Sequence, residues 1–181
     1  VASGSETLLD QNRRALQMTG MPESETNNYC RFLADAYAAV VNDMPLPSPD
    51  NYCLPAGLKQ NAFMLSTSLK TPYMKYFLGM NVSDILGSVK CPVMALNGTK
   101  DTQVDCDRNL SLLRQGLSGG YTFADESSVN VVKAEIGLNH LFQHCRTGEV
   151  SEYKEIEETF SPDVLTEMIT WLHLRLSQNS F

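Results

Sequence analysis

The sequence predicts an α/β fold in which parallel strands with flanking helices follow a helical region. Two short runs, residues 91–97 and 129–134, have the length, the apolar or β-branched content and the polar borders of buried strands. Helical periodicity lies between these runs, after them and over most of residues 1–80. A strand–helix–strand order requires a crossover connection, so we expect the two strands to run parallel in one sheet.

The first helix is predicted at the start of the chain. Ser3 and Glu6 match the S-x-x-E pattern of a capping box, and leucines and alanines then recur at helical spacing. Gly20 and Pro22 end this helix, because glycine favours a helix terminus and proline cannot continue one.

Three further helices are predicted before the strands. The second covers about residues 24–41, where apolar side chains form one stripe. Residues 44–55 contain four prolines and are predicted to be loop. The third helix covers about residues 55–69, and the fourth begins with Pro72 at its first position.

Two helices belong to the strand-containing half. Leucines at 110, 112 and 113 predict one between the strands. The last helix is predicted to begin with Ser161 as its cap and Pro162 at its first position. Its apolar stripe consists of Val164, Leu165, Met168, Trp171, Leu172 and Leu176.

Composition and charge narrow the class of protein. The chain has 181 residues, of which 43% are apolar and 19% charged, which is typical of one globular domain and not of a disordered or fibrous chain. Its net charge of −7 makes nucleic acid an unfavourable partner. No apolar run reaches the roughly 18 residues of a membrane helix. The first residue is Val1, and a leader removed upstream would leave no trace, so the compartment stays unassigned.

The cysteines predict neither a zinc ribbon nor a disulfide scaffold. Their number is odd, none forms a C-x-x-C pair, and free thiols are the favoured interpretation, with a Cys30–Cys53 disulfide left open. The five positions are Cys30, Cys53, Cys91, Cys106 and Cys145.

Asp101 and His140 are the candidate catalytic residues. Asp101 follows the first predicted strand and His140 follows the second. The carboxyl ends of parallel strands open onto one edge of a sheet, where ligands bind, so the carboxylate and the imidazole are expected to meet there. Such a pair is the orienting acid and the general base of a Ser-His-Asp arrangement. A turn-capping aspartate and a structural histidine are the alternatives.

These strand ends resemble a known family. Residues 91–104, CPVMALNGTKDTQV, resemble the acid-bearing loop of α/β-hydrolases, and residues 137–143, GLNHLFQ, resemble their histidine loop. Residues 152–159, EYKEIEET, and residues 71–78, TPYMKYFL, are similar to segments of the bacterial carboxylesterase and serine-aminopeptidase-like branch. The stretch at residues 3–11, SGSETLLDQ, resembles the entry to the cap of that branch.

The resemblance implies a domain organisation. Residues 1–20 would be the end of a core strand and the following helix, residues 21–80 a helical cap, and residues 81–181 the C-terminal part of the hydrolase core. In that family the nucleophile precedes the acid and the base in the chain, at a G-x-S-x-G elbow. The serine and the oxyanion hole would therefore lie upstream of this chain.

The resemblance also implies an activity and partners. The parent would hydrolyse small esters or other acyl substrates without a metal or organic cofactor, and this chain alone would be inactive. A two-stranded parallel sheet is not stable alone, so we expect self-association or pairing with the missing N-terminal half, and no membrane insertion. Met44, Met64, Tyr73 and Phe77 are candidates for an acyl pocket under the cap.

Several alternatives stay open. The chain could be a non-catalytic binding module derived from a hydrolase, or a peptidase of the same superfamily. Gly116–Gly120 spells G-x-S-x-G around Ser118, but it follows a helical pattern and lies between the acid and the base. His140, His144 and Cys145 could hold a metal ion, although the glutamate of H-E-x-x-H is missing.

Overall fold

The computed structural model describes residues 7–117 and 130–177 as a mixed α/β structure, mostly helical, with two parallel strands. The described chain separates into two compact units, a helical one over Thr7–Asn81 and a second one that starts at Val82. Within the described residues, no helix combines the length and the apolar character needed to cross a bilayer.

The helical unit begins with α1, Leu8–Met18. The predicted capping box at Ser3 and Glu6 lies outside the described residues. A capping box is formed instead by Thr7 and Asp10, since the Thr7 hydroxyl accepts from the Asp10 amide and the Asp10 carboxylate accepts from the Thr7 amide. Residues 7–20 belong to the same compact unit as the following helices.

The next helices agree with the sequence pattern. Helix α2, Glu23–Val41, and helix α3, Ala56–Ser68, confirm two predictions to within one residue at each end. Helix α4, Pro72–Gly79, has Pro72 at its first position as predicted. The proline-rich loop contains one short 3₁₀ turn, Pro49–Asn51.

One hydrophobic core holds the helical unit together. Phe32 lies at its centre, with the ring of Tyr52 edge-on at 5.4 Å. The other buried core residues come from α2, α3 and the turn before α4, which explains why these helices share one unit. They are Tyr29, Leu33, Ala36, Leu58, Ala62 and Leu69.

The second unit contains the sheet. A short helix that was not predicted, α5 (Ser83–Leu86), precedes strand β1 (Met94–Gly98), helix α6 (Cys106–Leu117) and strand β2 (Val131–Glu135). The strands are parallel as predicted, with Asn97 opposite Ala134.

The first strand begins three residues later than predicted. Pro92 cannot donate a ladder hydrogen bond. The Val93 amide donates to the side-chain oxygen of Asn130 at 2.8 Å, and regular pairing starts only at Met94. The side chain of Asn130 thus takes the place of a backbone partner at this end of the sheet.

The last helix, α7 (Pro162–Ser177), has Pro162 at its first position and Ser161 directly before it as predicted, and the Leu165 amide donates to the Ser161 carbonyl, but the expected capping bond of the Ser161 side chain is not formed. The Ser161 hydroxyl is buried without a hydrogen-bond partner among the described residues, whereas its backbone amide donates to Phe142. Val164 is buried, whereas most of the predicted stripe is exposed, because two strands are too small to cover it. The exposed stripe residues are Leu165, Met168, Leu172 and Leu176.

Candidate active site

Asp101 lies just beyond the end of β1, in a turn that saturates its carboxylate with hydrogen bonds. Oδ1 accepts from the backbone amides of Gln103 (2.8 Å) and Val104 (2.9 Å). Oδ2 accepts from the side-chain amide of Asn97 at 2.9 Å. The side chain is only 3% exposed, so these donors replace the water that an ionised carboxylate would otherwise need.

His140 lies in the loop after β2, and its neighbour Asn139 holds that loop in shape. The side-chain oxygen of Asn139 accepts from the amides of Leu141 and Gln143, and its nitrogen donates to the Gln143 side chain. Phe142 adopts a left-handed backbone with φ 55°, which completes the tight turn. The orientation of His140 is therefore determined by buried polar contacts on both sides of it.

The structure brings Asp101 and His140 together. Nδ1 of His140 lies 2.9 Å from Oδ2 of Asp101, within hydrogen-bond distance. A carboxylate can only accept, so this contact requires a proton on Nδ1, and in the neutral imidazole Nε2 then carries the lone pair. The imidazole is 37% exposed, and no described residue forms a hydrogen bond to Nε2. Asp101 can therefore orient and polarise the imidazole of His140, which keeps Nε2 available as a base.

The loops that carry the two residues are in close contact. A Cβ added to Gly98 would lie 2.2 Å from the Leu138 carbonyl oxygen and 2.7 Å from that of Asn139, so only glycine fits. The Lys100 amide donates to Leu138 at 3.0 Å, and the Gly137 amide donates to the Thr99 hydroxyl at 2.8 Å. The end of β1 and the start of the histidine loop thus pack backbone to backbone.

Lys100 joins the acid loop to the segment beyond the histidine. Its ammonium donates to the carbonyl oxygens of Cys145 and Arg146, each at 2.9 Å. The Thr102 hydroxyl donates to the Gly148 carbonyl at 3.0 Å. Gly148 has φ +82°, and a Cβ there would lie 1.9 Å from the Lys100 carbonyl oxygen. Residues on both sides of Asp101 are therefore tied to residues 145–148.

Glu152 closes the 145–148 segment from the other side. Its carboxylate accepts from the Thr147 hydroxyl at 2.7 Å and from the amides of Arg146, Thr147 and Gly148. The bonds from Thr147, followed by the amide of Arg146, lower the pKa of Glu152 to about 2. An ionised Glu152 therefore stabilises the loop that supports the acid.

The predicted metal alternative is not formed. Over residues 7–117 and 130–177, no three His, Cys, Asp or Glu side chains converge on a point where a metal ion could bind. Nδ1 of His144 pairs with Glu158 at 2.9 Å, and the Cys145 thiol donates to the Gly137 carbonyl at 3.4 Å. The His144 amide also donates to Glu158 and lowers the pKa of that carboxyl.

The acyl-pocket candidates belong to the helical unit, and the alternative serine has no described position. Ser118 lies outside the described residues, after the end of α6. Met44 lines an open cavity of about 410 Å³ in the helical unit, and Met44, Met64 and Tyr73 are all exposed. Phe77 stacks on Tyr73. All five cysteines are free, with Cys30 buried and Cys53 exposed, so the open disulfide is not formed.

Two buried asparagines of the candidate site, Asn97 and Asn139, were missed by sequence reasoning. Asn97 lies four residues before Asp101 and Asn139 directly before His140, and that spacing is the only signal available in the sequence. Both side chains are buried, and their amides hold the acid and the histidine loop. Buried polar side chains with complete partners rigidify and specify a local structure.

Comparison with protein-family models, curated proteins and solved structures gives no match for this chain. The resemblance to α/β-hydrolases therefore stays a prediction based on the motifs around Asp101 and His140.

Proposed function

We propose that this chain supplies the acid and the base of a Ser-His-Asp hydrolase of the α/β-hydrolase type, acting on carboxylic esters. The observation that carries the proposal is the 2.9 Å contact between Nδ1 of His140 and Oδ2 of a buried Asp101. A non-catalytic module would not need a saturated carboxylate behind an outward-facing imidazole. A distance in the range of about 2.6–3.2 Å is also what a base and its orienting group require.

The proposed mechanism uses the two nitrogens of His140 differently. Asp101 accepts from Nδ1–H, which fixes the tautomer and stabilises the imidazolium that forms during the reaction. The serine Oγ attacks the ester carbonyl carbon while its proton moves to Nε2. The intermediate then expels the alkoxide, which takes this proton and leaves as the alcohol. Water repeats the sequence on the acyl-enzyme and releases the carboxylic acid, with no cofactor in either step.

In this proposal the nucleophile comes from outside the described residues. The resemblance places the serine and the oxyanion-hole amides before the acid in chain order. Without them the 181-residue chain would keep a base but have no acyl acceptor, and we expect it to be nearly inactive on esters. The exposed apolar face of α7 supports a missing core segment as its cover, since parallel sheets are normally buried on both faces.

The test is ester hydrolysis by the complete gene product, with short- and long-chain nitrophenyl esters and a peptide substrate beside them. Asp101→Asn and His140→Ala should each lower kcat by about 10⁴-fold, as loss of a triad member does. His144→Ala is the matched control, because His144 lies on the same loop but pairs with Glu158. Wild-type rates in both variants of the Asp101–His140 dyad would refute the proposal. Faster cleavage of the peptide than of the esters would favour a peptidase of the same superfamily over an esterase.

A fluorophosphonate probe locates the nucleophile independently of the substrate. The proposal predicts one labelled serine outside residues 1–181, found by mass spectrometry of the digested protein. Labelling that persists in His140→Ala at the wild-type rate would contradict a His140-dependent nucleophile. Labelling of Ser118 would contradict the missing-segment part of the proposal while keeping the dyad.

A further inference from the structure

Asn97 is the only side chain besides His140 that reaches Oδ2 of Asp101 among the described residues. Its amide nitrogen donates to that oxygen at 2.9 Å, equal to the distance from His140 Nδ1. Asn97 lies at the penultimate position of β1, opposite Ala134, and is 8% exposed. The strand ladder thus fixes its backbone, and burial keeps its amide from exchanging partners with water.

Two independent sets of donors hold the two carboxylate oxygens. Backbone amides of the 101–104 turn hold Oδ1, and they would stay if the turn kept its fold. Among residues 7–117 and 130–177, Oδ2 contacts Asn97 on one side and the imidazole on the other. The torsion that rotates a carboxylate is broad, so the bond from Asn97 to Oδ2 adds a second restraint, on the other oxygen, to the orientation of the group.

An amide is suited to this role because it does not titrate. It stabilises the negative charge of Asp101 and offers no proton that the carboxylate could take. Oδ2 of Asp101 thus stays an acceptor for Nδ1–H while the imidazole gains and loses a proton on Nε2. A hydroxyl or water at the same place could rotate and point a lone pair at Oδ2 instead.

We propose that Asn97 is a positioning residue for the Asp101–His140 pair, an inference that rests on the proposed function. It acts through Asp101 and does not touch the substrate. Removing its donor leaves the fold of both loops in place, because Gly98, Lys100 and Asn139 hold them by separate contacts. The orientation of Oδ2 and the tautomer of His140 are the properties that change.

The kinetic test uses Asn97→Leu, which keeps a branched side chain of similar shape, and Asn97→Ser as a smaller second variant in the complete gene product. We expect kcat on a nitrophenyl ester to fall about 10-fold to 100-fold, the effect of losing one hydrogen bond to a charged group, with KM within about twofold. Asn109→Leu is the matched control, since Asn109 is also buried but its amide donates to the Asp105 carbonyl.

The decisive readout is the imidazole of His140 in protein labelled with ¹⁵N-histidine, assigned by its loss in His140→Ala. The wild type should show a single Nδ1–H tautomer, and both Asn97 variants a mixture of tautomers, while Asn109→Leu keeps the wild-type signal. A retained Nδ1–H tautomer with wild-type kcat in both Asn97 variants would overturn the inference. Absent esterase activity with a tautomer change in the variants would refute the proposed function and leave the positioning role intact.

Discussion

Replacing Gly98 with alanine tests the packing that brings the acid and the base together. The new Cβ would lie 2.2 Å from the Leu138 carbonyl oxygen and 2.7 Å from the Asn139 carbonyl oxygen. Carbon–oxygen contacts settle near about 3.3 Å, so the histidine loop must retreat by about 1.1 Å at Leu138 and about 0.6 Å at Asn139.

This retreat determines the expected magnitude. The distance from Nδ1 of His140 to Oδ2 of Asp101 is 2.9 Å. If the loop moves as one body, that distance grows to about 4 Å, which is no longer a hydrogen bond. A misplacement of about 1 Å typically costs about 100-fold in rate. Overpacking should also lower the free energy of unfolding by about 1–3 kcal/mol.

The assay for Gly98→Ala combines kcat on a nitrophenyl ester, the tautomer of His140 and a urea melt, all on the complete gene product. Gly57→Ala is the control, because Gly57 lies in α3 with open space around its Cα. That change should leave kcat unchanged and, because Gly57 is the second residue of α3, raise the free energy of unfolding by at most about 0.5–1 kcal/mol, the value for a helix interior. A Gly98→Ala variant with wild-type kcat and tautomer would show that the two loops are not set by this contact.

Three other predictions concern the support of the site and the exposed face. Gly148→Ala forces alanine to φ +82° and against Lys100, so it should cost at least about 1–2 kcal/mol in a urea melt; wild-type stability would contradict that contact. Glu152→Gln should lower the urea midpoint at pH 7. The gap between the midpoints of the wild type and the variant should shrink from pH 4.5 towards pH 2, because the depressed pKa stabilises the fold only while Glu152 is ionised. A gap that does not change with pH would contradict this. The 181-residue chain should self-associate in sedimentation velocity, and Ile169→Glu on the exposed part of α7 should weaken that association; a clean monomer that binds no apolar dye would refute the exposed face.

The elements of this chain were predictable where local rules determine them. Pro72 and Pro162 begin their helices as expected, because proline has no amide to lose at a first position. The meeting of Asp101 and His140 was also predictable, since a crossover makes the strands parallel and parallel strands end at one edge.

The supports of the site were not predictable, because they join residues far apart in the chain. Lys100 and Arg146 are 46 residues apart, and nothing in either local sequence indicates that a carbonyl will meet an ammonium. Ser161 is the converse case. Its residue type favours a side-chain cap, but its amide donates to Phe142 and its hydroxyl is buried with no partner in the described part of the chain, so only its carbonyl contributes to the start of the helix. Tertiary contacts outweighed the local preference at both places.

The contacts that hold the candidate site do not involve the exposed apolar face of α7. Hydrogen bonds and glycine contacts within residues 97–104 and 137–152 hold the acid and the base, and none of these contacts uses the apolar side chains of α7. A segment that covered α7 would therefore bury its apolar face, while the Asp101–His140 pair is already formed without that segment. In the proposed hydrolase the base is already oriented when the serine arrives, and such preorganisation is what makes a charged catalytic group effective.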